Sequence, residues 1–263
     1  MDWEFYILVS GMVAEVALIL VLTRGRVFRT FPAFYLFLCW SLFSDALLYY
    51  VRIHASDDNF FKIYRVQLVV DSLMIFALLV EVAWSVLRPI RNSLPKYTWV
   101  GIAVLVAVGG LILWPIAGFV APNDLSPLGM SLFKLQQTPA ILRAVFFLAL
   151  AASSQLLSIG LRDRELQIAT GLGFFSIVSL AVTILHTYQP VGLEYHWLDR
   201  AVSFSYIVAL GYWVFSFATV PVERREFTPQ MQGMLLAVAG SARATRVAMK
   251  DSTSGKTGNG RDR

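Results

Sequence analysis

Residues 98–120 read TWVGIAVLVAVGGLILWPIAGFV, a run without a single charged side chain. A bilayer core about 30 Å thick takes roughly 20 apolar residues of α-helix to cross, and this segment has that length. Six more stretches of similar character flank it, at about 4–23, 31–52, 62–88, 135–160, 166–188 and 197–221. The chain is 57% apolar and 15% charged, where soluble domains carry about 25% charged residues, so most of its surface faces something other than water. The expected fold is all-α: a seven-transmembrane-helix bundle over residues 1–222, followed by a tail at 223–263.

Basic residues near helix ends set orientation. Arg24, Arg26 and Arg29 follow helix 1. Arg88, Arg91 and Lys96 follow helix 3, Arg162 and Arg164 follow helix 5, and Arg224 and Arg225 open the tail. The alternate loops are poor in Lys and Arg and hold Asp57, Asp58, Asp124 and Glu194. The expectation is therefore an N-terminus outside and a C-terminus in the cytoplasm of a plasma-membrane, multi-pass protein. Met1-Asp2-Trp3-Glu4 lacks the basic region of a signal peptide, so helix 1 is expected to be retained. Trp3, Trp84, Trp99, Trp114 and Trp197 fall toward helix ends, where indole rings favour the headgroup region.

The net charge of +5 sits in the loops and tail that topology already makes basic, and it gives no reason to invoke nucleic acid. Cys39 is the only cysteine, which rules out an internal disulfide and a cysteine-based metal site.

A shift of 135 residues lays helices 1–3 on helices 5–7. Gly25 meets Gly160, Arg29 meets Arg164, Ser41 and Ser44 meet Ser176 and Ser179, and Arg65 meets Arg200. Both triplets start from the same side, so such a repeat would be parallel, in a three-plus-one-plus-three plan with helix 4 as the linker. Sugar-transporting seven-helix proteins use this plan, but they carry a Pro-Gln pair in the first helix of each repeat. The corresponding helices here offer only Gln137-Thr138-Pro139, so the likeness stops at architecture.

Ionisable groups within spans are costly and usually face a bundle interior. Glu15 lies near the middle of helix 1. Asp45 and Arg52 lie in the outer half of helix 2, Arg65 and Asp71 in that of helix 3, with Glu81 deeper. Arg143 is about two turns into helix 5, His186 is near the outer end of helix 6, and Asp199 and Arg200 open helix 7. The outer-half charges nearly balance, which predicts mutual pairing. Arg143 is the deepest of these arginines and has no carboxylate three or four residues away on its own helix. Its partner must come from another helix or from a ligand, and Asp45 or Asp71 is expected beside it, next to a cavity open to the outside. The candidate ligand-binding set is Arg143, Asp45, Asp71, Arg65, Arg200 and His186. Glu15 and Glu81 are candidates for proton coupling or for hydrogen bonds between helices.

Familiar seven-helix chemistries meet obstacles. A retinal protein resembling the microbial rhodopsins needs a lysine in helix 7, and there is none between Trp197 and Pro221. Seven-helix zinc hydrolases carry a His-x-x-x-His pair within one helix. His54, His186 and His196 offer no such pair, and no metal or other cofactor is expected. Ser179 and His186 are seven residues apart, about 10 Å along a helix, too far for direct proton transfer. The small residues Gly171 and Gly173 on helix 6 point instead to close helix packing. Phosphate-binding glycine loops are missing.

In the tail, Met231, Met234, Leu235, Val238, Ala242 and Met249 share one face of a helical pattern, flanked by Arg243, Arg246 and Lys250. This suits an amphipathic helix on the inner leaflet or one docking on a cytoplasmic protein partner. From Asp251 onward the chain is polar and glycine-rich, the composition of a disordered end. The sequence thus reads as a non-enzymatic, receptor- or sensor-like membrane protein that binds a small polar or anionic ligand in an outward-facing pocket. The alternatives are a small-solute transporter on the three-plus-one-plus-three plan and a structural subunit of a membrane complex.

Overall fold

The computed structural model describes residues 3–54, 56–87, 97–121, 126–153, 163–188 and 196–219. The expected tail lies outside the described residues. Seven α-helices account for nearly all of the rest: α1 (Trp3–Arg24), α2 (Pro32–His54), α3 (Asp57–Val86), α4 (Thr98–Ala117), α5 (Pro127–Ser153), α6 (Arg164–Tyr188) and α7 (His196–Ala218). Each is long and apolar enough to cross a membrane. Large apolar side chains stand exposed around them, among them Leu105 at 70%, Leu111 at 72% and Phe215 at 74%. Water would penalise such a surface and hydrocarbon does not. The chain is a multi-pass, seven-helix membrane protein.

Six helices close a ring in which neighbours are α1–α2, α2–α3, α3–α5, α5–α6, α6–α7 and α7–α1. Helix α4 stands outside it, packed on α3 and α5, and α3 also touches α6 across the ring. The ring closes tightly where side chains vanish. A Cβ on Gly171 would overlap the Trp213 indole of α7, and one on Gly173 would overlap the Phe147 ring of α5. Without a hydrophobic driving force between helices in lipid, this close packing is what holds them.

Two helix starts differ from the expected ones. Helix α5 begins at Pro127 rather than near 135, because Ser126 caps it: its Oγ accepts the Gly129 N–H at 3.1 Å, and proline suits the first helical position. Lys134, Gln136 and Gln137 had obscured this start by interrupting the apolar pattern. Helix α3 begins at Asp57 rather than 62, with Ser56 at its N-cap position. At a shift of 135 residues the helix starts do not coincide, and the first helix of the second triplet starts earliest relative to its counterpart.

The core fills one half of the bundle, the half where α1, α3, α5 and α7 end and α2 and α6 begin. Leu18, Leu22, Phe34, Leu38, Leu78, Val82, Ile168, Leu172, Leu210, Trp213 and Phe217 pack there. Phe34 meets Trp213 edge-on at 5.1 Å between centroids, and the Trp213 Nε1–H donates to the Gln167 carbonyl at 3.0 Å. This apolar plug lies beside a buried polar pair at the same end, where the Ser85 hydroxyl donates to Glu165 Oε1 at 2.6 Å, and a second set of buried polar side chains lies above it.

Candidate functional site

Glu15 occupies the buried stripe of α1, one turn before Leu18 and two before Leu22, and is fully buried. The Ser41 hydroxyl of α2 donates to its Oε1 at 2.7 Å, and the Tyr206 hydroxyl of α7 donates to the same oxygen in a very short contact. The two hydroxyls lie 3.1 Å apart. Oε2 has no hydrogen-bond partner. Three helices thus converge on one carboxyl oxygen and leave the other unoccupied.

Asp71 of α3 sits in a second cluster. Its Oδ1 accepts the Trp40 Nε1–H at 2.6 Å, and Gln67, one turn earlier, also hydrogen-bonds this carboxylate. The Gln67 amide reaches the Ser44 hydroxyl at 3.2 Å. Asp45 of α2 is half-buried and lies within electrostatic reach of both Glu15 and Asp71.

Arg143 of α5 faces inward and is only 8% exposed. A lipid-facing arginine at this depth costs about 2.5–3.5 kcal/mol on insertion scales, which explains the inward choice. Its Cζ stands 5.4 Å from the Phe175 ring centroid, a cation–π distance. Asp71 and Tyr206 lie within its electrostatic reach. The expected direct ion pair is missing: among the described residues Arg143 has no carboxylate within salt-bridge distance, and its Nε has no partner. Asp71 is instead engaged by Trp40 and Gln67.

The other sequence candidates separate. Arg52 and Arg65 are exposed, so the expected charge balance does not carry into the interior. Arg200 is half-buried in the first turns of α7. His186 lies in the last turn of α6, with its side chain outside the described set. Glu81 caps α2: Oε1 accepts the Ala33 N–H at 2.8 Å and Oε2 accepts the Phe34 N–H at 2.9 Å. A helix N-terminus leaves such N–H groups without internal partners, so Glu81 holds α2 against α3.

From the sequence, no role in the site fell to Tyr206, Trp40, Gln67 or Phe175, and Ser41 entered only through the 135-residue shift. A signal for Tyr206 was present. Tyr206, Leu210, Trp213 and Phe217 recur at helical spacing on α7, so the tyrosine continues the stripe that faces the core. Ser41 likewise continues the Phe34–Leu38 stripe of α2.

A cavity of about 320 Å³ opens between α2 and α3, lined by Trp40, Ser44, Leu47, Lys62, Ile63, Val66 and Gln67. Trp40 and Gln67 are the side chains that hold Asp71. Neither Arg143 nor Asp45 nor Asp71 lines this cavity, so it is not the one expected beside Arg143. A second groove of about 450 Å³ lies between α3, α4 and α5, with Phe76, Gly110, Trp114 and Pro139 in its wall. Its lining contains no charged group. Among the described residues, no three His, Cys, Asp or Glu side chains are placed to hold a metal ion.

No family model, curated protein or solved structure matches this chain. The functional reading therefore rests on the polar groups just described.

Proposed function

We propose that this protein is a non-enzymatic receptor or sensor of the plasma membrane that binds a small polar ligand bearing an anionic group inside the bundle. The observation that carries the reading is Arg143, buried to 8% exposure, with an unpartnered Nε and no ion pair among the described residues. A buried charge left so is costly, and a guanidinium offers five N–H donors in a planar fork suited to carboxylate or phosphate. The apolar plug of Phe34, Trp213 and Phe217 beneath the cluster supports a site closed on the side of the basic loops. In this reading the N-terminus is outside, the tail is cytoplasmic, and the tail passes the signal to a protein partner.

The test is thermal unfolding of the purified chain in detergent against a panel of small carboxylates and phosphates. A bound compound should raise the midpoint of the wild type and leave Arg143→Met unmoved. Equal shifts in both would remove Arg143 from the site.

One observation favours a small-solute transporter as the second reading. In the ring, α1 adjoins α7 and α5 adjoins α3, the reciprocal pairing that a parallel three-plus-one-plus-three repeat would make. Glu15, with one free oxygen at mid-span, would then couple protons. Uptake into proteoliposomes driven by a proton gradient, and lost in Glu15→Gln, would support this reading over the receptor.

A further inference from the structure

We propose that the ligand of this site is a zwitterion, its carboxylate held by Arg143 and its ammonium group by Asp45 and Glu15. This deepens the ligand-binding reading and rests on it.

Five polar side chains from five helices form a circuit joined by one hydrogen bond and otherwise by electrostatic reach. Arg143 is within reach of Tyr206 and Asp71. Tyr206 bonds Glu15, and Asp45 is within reach of Glu15 and Asp71. Three of the five are carboxyl groups and one is a guanidinium, while Arg52 and Arg65 are exposed.

The circuit meets the needs of its members unequally. Asp71 has Trp40 and Gln67 as hydrogen-bond donors. Glu15 uses one oxygen for Ser41 and Tyr206 and leaves Oε2 without a partner, although the residue is fully buried. Asp45 makes no hydrogen bond or ion pair among the described residues, and the charges it meets are two other acids. Among the described residues Arg143 lacks an anion and Asp45 lacks a cation within pairing distance, yet they do not pair with each other. Arg143, which is buried, and Asp45, which is half-buried, are each open to a complement from outside the chain.

A simple anion would satisfy Arg143 but would sit among three carboxyl groups. A simple cation would satisfy Asp45 but would enter near a buried guanidinium that has no carboxylate within salt-bridge distance among the described residues. A molecule carrying both charges meets both needs without adding net charge to the bundle. Among such zwitterions, α-amino acids are the simplest probes.

The experiment measures binding to the full chain in detergent by thermal shift and calorimetry. The probes are the twenty common L-amino acids, a set of simple carboxylates and phosphates, and, for each amino acid that binds, its N-acetyl and carboxamide derivatives. The intact amino acid should bind, and each derivative should lose about thirty-fold or more, the usual scale for leaving a buried charge without its partner. Asp45→Asn should weaken the amino acid by a similar factor and leave the N-acetyl form unchanged. An N-acetyl or carboxamide form that binds as well as its parent would overturn the zwitterion proposal. Binding of simple anions alone, with amino acids no better, would overturn it while sparing the anion-binding reading. No binding by any probe would count against both. The comparison of derivatives uses wild-type protein, so it stands even where Arg143→Met fails to fold.

Discussion

Two acids deep in the spans have different fates, and the difference lies in what faces each of them. Glu81 points at the start of α2, where Ala33 and Phe34 present N–H groups that no carbonyl of the helix can take. Losing this cap in Glu81→Ala should cost about 1–2 kcal/mol, read as a lower unfolding midpoint, with ligand affinity unchanged in the protein that remains folded. Glu15 meets hydroxyls instead, from Ser41 and Tyr206. Hydrogen bonds between membrane helices average about 0.6 kcal/mol and reach about 1.7, so Tyr206→Phe should destabilise only slightly. Its larger effect should be on ligand binding, since Tyr206 also lies beside Arg143. A Tyr206→Phe protein that unfolds far more easily yet binds normally would make the hydroxyl purely structural. Depth in the membrane, which the sequence supplied, could not separate the two glutamates. Only their partners do.

At the scale of helices, α5 and α6 show how local chemistry becomes packing. Pro139 lies inside α5 and has no N–H to give to the Leu135 carbonyl. The Ser72 hydroxyl of α3, already bonded to the Leu68 carbonyl at 2.8 Å, reaches that Leu135 carbonyl at 3.2 Å. Neighbouring helices commonly re-satisfy backbone that proline frees in a membrane. Ser72→Ala should therefore cost about 1 kcal/mol beside a proline and much less in a Pro139→Ala background, a coupling that a double-mutant cycle in detergent would measure. Helix α6 needs its glycines for space. Gly171→Val would push into Trp213 and should cost about 1–3 kcal/mol. Gly211→Ala on α7, where a Cβ meets nothing within 4 Å, should be neutral or up to about 1 kcal/mol stabilising. Equal effects at both positions would show that α6 and α7 do not approach as closely as described. Small residues on α6 were readable as a packing face from the sequence, but the rings they accept, Trp213 and Phe147, were not. The start of α5 was written in Ser126-Pro127 and was passed over because hydropathy outweighed the cap.

For the whole molecule, the alternation of basic loops makes a prediction that packing cannot. Reporter fusions after Arg91 and Arg225 should read cytoplasmic, and an insertion near Asp57 should read external. An external signal after Arg91 would invert the bundle and place the polar cluster toward the cytoplasm. Helix number, span length and the stripes through Glu15 and Tyr206 were determined by the sequence itself, because hydropathy and helical period are properties of neighbours along one chain. Tertiary structure alone decided that Tyr206 reaches Glu15 across 191 positions and that Glu81 caps a helix other than its own. It also decided that Trp40 and Gln67 occupy Asp71, leaving Arg143 without an ion pair among the described residues. The physical reason is that lipid matches apolar side chains almost equally well on any face. The choice of which helices adjoin therefore falls to close packing at glycines and to the partners each buried polar group finds, and both are decided between segments far apart in the chain.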